Sequence, residues 1–267
     1  NTTATDVYNT AVGFEAGGAV TTGVQNTLVG GLAGDAITGG DQNVAVGYLA
    51  LTTLQTSDGN TAIGVAALND TSGADNTAVG RLAGYQVTSG ANNLALGKDA
   101  LRTGSPGGAV TTGSNIIVLG DENIANAHIQ VSFTVASDER DKTDFVDLDL
   151  GLDFVKALEP VTYYWDKRSK YGDKTAEDYD LEAQTPDGTH KEDWMDVGFK
   201  AQAVQSLEDA AGYTASAKKN LTVASSDDGK QLGLRYEKFI PILVKAIQDQ
   251  DAIIQSLTAR IAALEGE

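Results

Sequence analysis

The 267-residue chain has no cysteine, two histidines, four prolines and one methionine, and aromatic residues make up only 6% of it. Without cysteine there is no disulfide framework, no thiol nucleophile and no cysteine-type zinc site, and two histidines cannot furnish a three-histidine catalytic centre. Bases are scarce: 19 Lys and Arg stand against 37 Asp and Glu, a formal net charge of -18 with a pI near 4.3. That balance excludes a nucleic-acid-binding face built on bulk positive charge. No run approaches the roughly 20 apolar residues of a membrane span. The Asn1-Thr2-Thr3 start carries neither an initiator Met nor a signal peptide, so the chain is expected to be a soluble piece of something longer.

Glycine is plentiful and unevenly placed. Residues 1–136 hold 22 of the 30 glycines with 10 acids and 3 bases, and no Lys or Arg precedes Arg81; residues 137–267 hold 27 acids and 16 bases. Such a shift marks two modules, expected at 1–136 and 137–267.

The first module is repetitive. Asn-x-(Ala/Leu)-(Val/Ile/Leu)-Gly-x-x-Ala phrases start at Asn9, Asn26, Asn43, Asn60, Asn76 and Asn93, in steps of 17, 17, 17, 16 and 17 residues. A seventh, degenerate copy, Asn115 to Gly120, follows after a step of 22 that contains Ser105-Pro106-Gly107-Gly108. Short strands that cannot bury an apolar face singly can share one thin core when stacked ~4.8 Å apart. Gly at fixed phase supplies a corner of positive φ, and Asn at fixed phase can form a hydrogen-bonded ladder. A disordered Gly/Thr/Asn-rich linker would not need so constant a phase. The expectation is an all-β solenoid with about 17 residues per coil, too thin to stand alone and stabilised by lateral association. Its phrases resemble the left-handed β-roll heads of trimeric bacterial adhesins and the shafts of bacteriophage tail fibres, over about residues 9–120.

The second module opens on Ser137-Asp138-Glu139-Arg140-Asp141-Lys142, followed by Leu152-Asp153-Phe154-Val155-Lys156-Ala157-Leu158-Glu159-Pro160-Val161-Thr162-Tyr163-Tyr164-Trp165. These strings, with Val197 to Gln205 and Leu234 to Gln248, resemble the intramolecular chaperone domain of phage tailspikes and fibres, the S74 peptidase family typified by endosialidases. The resemblance spans about residues 137–264. It implies a helix and then a strand over 152–165, a homotrimer templated by the C-terminal domain, and self-cleavage immediately before the motif serine. It further implies Ser137 as nucleophile, Lys142 as general base and Ala136-Ser137 as the scissile bond, with Asp138 and Arg140 as supporting residues in a salt-bridge role.

Serine needs a base to become nucleophilic, and lysine serves only where burial or nearby cations keep it partly neutral. Asp138, Glu139, Asp141 and Asp144 surround Lys142 in sequence and would favour its charged form unless folding directs them away. Residues five apart point to opposite faces of a strand and sit about 140° apart on a helix. A turn must therefore join Ser137 to Lys142, or the pair forms between chains. Without the downstream strings, Ser-x-x-x-x-Lys would read as a charged helix start capped by Ser137.

The last stretch carries Leu243, Ile247, Gln250, Ile254, Leu257, Ile261 and Leu264 at steps of 4 and 3, a heptad seam predicting a coiled coil over about 240–264. Ile at a with Leu at d favours two strands in isolation, whereas the resemblance implies three. The acid-rich Asp173–Asp193 stretch, with Gly172, Pro186, Gly188 and His190, lacks the Asp-x-Asp-x-Asp-Gly calcium-loop pattern and reads as a solvated insertion. His128, nine residues before Ser137, reads as a surface histidine. No metal, cofactor or phosphate loop is expected, nor paired carboxylates across a glycan-cleaving cleft.

The combined expectation is a homotrimeric tail fibre or spike fragment of a virion, assembled in the host cytoplasm, with upstream tail or baseplate proteins and a host surface receptor as partners and neither nucleic acid nor membrane. The alternatives are a trimeric adhesin or receptor-binding tip whose C-terminal domain is an uncleaved cap, and a membrane-tethered regulator released by self-cleavage.

Overall fold

A computed structural model describes residues 7–174, 176, 178–217, 219 and 221–266; the first six residues of the first module lie outside them. The chain forms two compact units. The first comprises residues 1–125 together with 165–192 and 225–231, and the second residues 126–164, 193–224 and 232–267.

The first unit is a parallel β-solenoid. Seven three-residue strands, β1 (Thr10–Val12), β2 (Thr27–Val29), β3 (Val44–Val46), β4 (Thr61–Ile63), β5 (Thr77–Val79), β6 (Leu94–Leu96) and β7 (Ile117–Leu119), pair in sequence order. The pairing offset is 17 residues for Thr10 against Thr27 and 16 for Thr61 against Thr77, so one coil equals one repeat. Alternation along β2 to β7 sends the middle residue inward, and Leu28, Ala45, Ala62, Ala78, Ala95 and Val118 are buried, whereas Ala11 in the first strand is exposed. The Gly-x-x-Ala alanines Ala33, Ala50, Ala67, Ala83 and Ala100 join them, with Ile37, Leu54 and Val87 at a third corner.

The repeat residues hold neighbouring coils together. Asn26, Asn43, Asn60, Asn76 and Asn93 are buried, and each Oδ1 accepts the backbone N–H of the residue one coil on, as in Asn76 N to Asn60 Oδ1 at 3.0 Å. Each Nδ2 donates to a carbonyl of the following turn, for example Asn60 to Gly73 O at 3.0 Å and Asn76 to Gly90 O at 2.9 Å. Gly47, at φ +138°, has no room for a side chain: a Cβ there would lie 2.5 Å from Gly64 O.

The seventh coil departs from the sequence phrase by one residue. Leu94 pairs with Ile117, an offset of 23, and Asn93 Oδ1 accepts from Ile116 N at 3.0 Å, so Ile116 takes the ladder position and not Asn115. Asn115 instead accepts a side-chain hydrogen bond from Asn92 at 2.7 Å. Burial reports this register, with Val118 buried and Ile117 exposed. With Asn115 in the ladder, the one-residue slip would turn Ile117 inward and Val118 outward.

Segments 165–192 and 225–231 belong to the same unit as the last coils. Lys167 Nζ donates to Glu122 O at 2.9 Å, Lys174 pairs with the Glu122 carboxylate, and Asp228 Oδ2 accepts from Ala109 N at 3.2 Å. Lys230 pairs with Asp180 at 2.7 Å, and Leu181 is buried. Leu181 and the Lys230–Asp180 and Lys167–Glu192 pairs anchor the 173–193 stretch at a few points, while most of its described residues, 185–191 among them, are exposed, as expected of a solvated insertion.

The second unit is α+β. Helix α1 (Leu152–Ala157), strands β8 (Val161–Tyr164) and β9 (Met195–Gly198), helix α2 (Ala201–Ala210), strands β10 (Val223–Ser225) and β11 (Leu232–Leu234), and the 27-residue helix α3 (Phe239–Glu265) follow in order. β8 and β9 are antiparallel, with Val161 opposite Gly198. Leu150, Phe154, Val204, Val223, Phe239 and Ile242 form the core. The N-terminus of α1 receives the Asp249 carboxylate of α3, which accepts from Leu152 N at 3.1 Å. The Lys245 side chain, first, and this backbone donor lower the Asp249 pKa from the usual carboxylate value.

Candidate active site

Within the second unit, residues 137–142 form a single tight turn. Glu139–Asp141 make a 3₁₀ turn whose N-cap is Asp138, not Ser137. Asp138 Oδ1 accepts from Arg140 N at 2.9 Å, and the same carboxylate grips the Arg140 guanidinium, with Nε to Oδ1 at 3.0 Å and Nη2 to Oδ2 at 2.6 Å. The Arg140 side chain and backbone hold the Asp138 carboxyl below its ordinary pKa. Asp138 caps better than Ser137 here because one carboxylate satisfies a backbone donor and a guanidinium together.

The turn reverses the chain and brings its ends together. Lys142 Nζ lies 2.6 Å from Ser137 Oγ and 3.3 Å from Ser137 O, both within hydrogen-bond reach. Of the four nearby acids, Asp138 is engaged by Arg140, and among the described residues none forms an ion pair with Lys142. Ser137 and Lys142 are both exposed to solvent, as are Ala136 and His128.

The chain resembles known proteins at this same point. Residues 137–213 match the Peptidase S74 family, chaperone of endosialidase. No curated protein and no solved structure matches the chain. The S74 match starts on Ser137, takes in α1, β8, β9 and α2, and ends on Tyr213, whose hydroxyl bonds Asp149. Residues 137–213 are thus an S74 chaperone domain, preceded by a β-solenoid. The Leu234–Gln248 resemblance lies beyond the matched residues.

Three supports of the S74 region are contacts that spacing does not give, although Phe199, Tyr236 and Phe239 stand within the strings singled out above. Glu208 on α2 is 1% exposed, and its carboxylate accepts from Thr222 N at 2.7 Å and from the Thr222 hydroxyl. Phe199, Tyr236 and Phe239 cluster, with the Phe199 and Phe239 centroids 5.4 Å apart. Asp249 caps α1 from 97 residues away. Each pairs residues remote in sequence, so no local motif announces it.

The seam Leu243, Ile247, Gln250, Ile254, Leu257, Ile261 and Leu264 is exposed along α3, while Phe239, Ile242 and Ala246 of the same helix are buried. Among the described residues, no group of three or more metal-ligating side chains converges, and no helix is long and apolar enough to cross a membrane.

Proposed function

We propose that this chain is a viral tail fibre or spike component whose S74 domain templates homotrimer folding and then releases itself by a single self-cleavage at Ala136-Ser137. The observation that carries the reading is the 2.6 Å approach of Lys142 Nζ to Ser137 Oγ at the first residue of the S74 match.

The chemistry balances within the chain and one water. Neutral Lys142 Nζ takes the Ser137 hydroxyl proton as Oγ attacks the Ala136 carbonyl carbon. The resulting tetrahedral intermediate collapses by breaking the C–N bond, and the proton passes from Lys142 to the departing Ser137 nitrogen. The product is an ester between Ala136 and Ser137 Oγ. Water opens it, leaving an Ala136 carboxylate and a Ser137 with free hydroxyl and free α-amine. An ammonium in water is a poor base, and desolvation favours the neutral amine. The exposure of both residues in a single chain therefore ties cleavage to assembly, when another chain covers the turn.

The need for a template is entropic. Nearly identical coils invite register slips between chains, and a C-terminal trimer joined along the α3 seam holds three chains at high effective concentration while they align. Removing the template makes the assembled fibre's persistence kinetic.

The test is the intact mass of freshly expressed protein beside Ser137→Ala and Lys142→Ala. Wild type alone is expected to yield fragments 1–136 and 137–267. A wild-type trimer that remains whole indefinitely would overturn the peptidase reading and leave an uncleaved cap on a binding fibre.

A further inference from the structure

The ten residues before the proposed scissile bond form a pattern that no part of the chain uses. Ala127, Ile129, Val131, Phe133 and Val135 alternate with His128, Gln130, Ser132, Thr134 and Ala136, with no Gly, Pro, Asp, Glu, Lys or Arg among them. From His128 to Val135, polar residues alternate strictly with β-branched or aromatic ones, the pattern of a half-buried strand. Yet the segment lies in neither helix nor strand, and its large apolar side chains are open to solvent: Val131 is 73% exposed, Phe133 79% and Val135 75%. Among the described residues, no backbone or side-chain hydrogen bond involves 126–136.

We infer that residues 127–136 form a β-strand that pairs with the same segment of neighbouring copies of this chain, burying the odd-numbered side chains on their common axis. The inference rests on the trimer reading above and deepens it by naming the surface that reports assembly to the cleavage site.

Charge favours a second copy as the occupant. Chains carrying a net -18 repel one another, and this is an uncharged stretch at which identical backbones can meet without opposing like charges. Pairing also demands a partner that presents both unpaired N–H and C=O groups and a complementary apolar face. Another copy of the segment supplies both, residue for residue. The α3 seam, in the same compact unit, is likewise an apolar stripe left exposed by its own chain.

The consequence is local to the reaction. A strand ending at Ala136 fixes the carbonyl that Ser137 attacks, whereas an unpaired segment leaves it free to rotate. Cleavage would then begin only once the copies have paired up to the scissile bond.

Hydrogen exchange on full-length Ser137→Ala protein, with its oligomeric state measured by native mass spectrometry, tests this. The expected result is a trimer in which the amides of 128–136 exchange at least about 100-fold more slowly than unstructured amides. A trimer with unprotected amides overturns this inference and leaves the trimer reading standing; a monomer overturns both. Protection in a monomeric fraction would mean that the chain covers the segment itself, and the inference falls. In the cleavable chain, Phe133→Asp is expected to slow cleavage at least tenfold, while Thr134→Asp on the opposite face leaves it within about twofold. Equal effects of the two substitutions would refute an alternating, one-sided interface.

Discussion

Replacing Asn60 with alanine probes whether the asparagine ladder stabilises the solenoid or merely accompanies it. Asn60 is fully buried between two coils. Its Nδ2 donates to Gly73 O at 3.0 Å, and its Oδ1 accepts from Asn76 N at 3.0 Å. Removing the side chain leaves Gly73 O and Asn76 N–H without those partners in a site closed by neighbouring coils. Each buried unsatisfied group costs about 1–3 kcal/mol, so Asn60→Ala is expected to destabilise the module by about 2–6 kcal/mol. The control is Gln42→Ala: Gln42 Nε2 also bonds across coils, to Gln25 Oε1 at 3.0 Å, but on an exposed surface. Its loss is expected to cost less than about 0.5 kcal/mol. Denaturant unfolding of the full chain, followed by far-ultraviolet circular dichroism with amide exchange at Asn76, measures both. If Asn60→Ala and Gln42→Ala shift the transition equally, the ladder is not what couples the coils and the reasoning fails.

Two further outcomes are expected. Glu208→Ala should destabilise the S74 region by about 2–5 kcal/mol, since Thr222 N and the Thr222 hydroxyl lose their buried acceptor, and Glu208→Gln should recover part of this by retaining an oxygen; loss under about 0.5 kcal/mol in denaturant unfolding would contradict that role. The last coils should loosen in acid. Burial acts to raise the Asp99 carboxyl, but hydrogen bonds from Lys98 and Arg102 outweigh it and hold the group below its ordinary value; Asp121 is likewise lowered against its burial, by Asn123 and Lys98. A depressed carboxylate pKa contributes stability that is full above the unfolded value and disappears as pH falls through the folded one, so the window lies below about pH 4. Thermal midpoints measured from about pH 5 to about pH 2 should fall more steeply for wild type than for Asp99→Asn, and parallel curves would rule the cluster out.

The parts of this molecule legible in sequence are those whose cause is periodic or local. Asn, Gly and the small inward residue recur because every coil solves the same stacking problem, and the phase could be read from Asn9 to Asn93 directly. It slipped at Asn115 because the excursion through Ser105–Gly113 breaks the count, and the register there is reported by which of Ile117 and Val118 is buried. The requirement for a turn between Ser137 and Lys142 followed from their spacing. That Asp138 would cap it while gripping Arg140 depended on side-chain geometry that no spacing rule contains. The anchoring of 165–192 and 225–231 in the solenoid unit was invisible for a further reason. Its contacts are single polar pairs, such as Glu122 with Lys174 and Asp228 with Ala109 N, separated by 52 and 119 residues.

The alanine lining of the solenoid has a thermal consequence. The heat-capacity increment of unfolding rises with the apolar surface newly exposed and falls with the polar surface exposed alongside it. Coils that turn Ala45, Ala62, Ala78 and Ala95 inward beside Leu51, Leu54 and Leu68, and that are joined by buried asparagine and backbone ladders, hide polar surface together with apolar. The polar part offsets some of the curvature that the apolar part gives their free energy of unfolding against temperature. The buried ladder thus flattens the temperature dependence of the solenoid's stability relative to an all-apolar core of the same area.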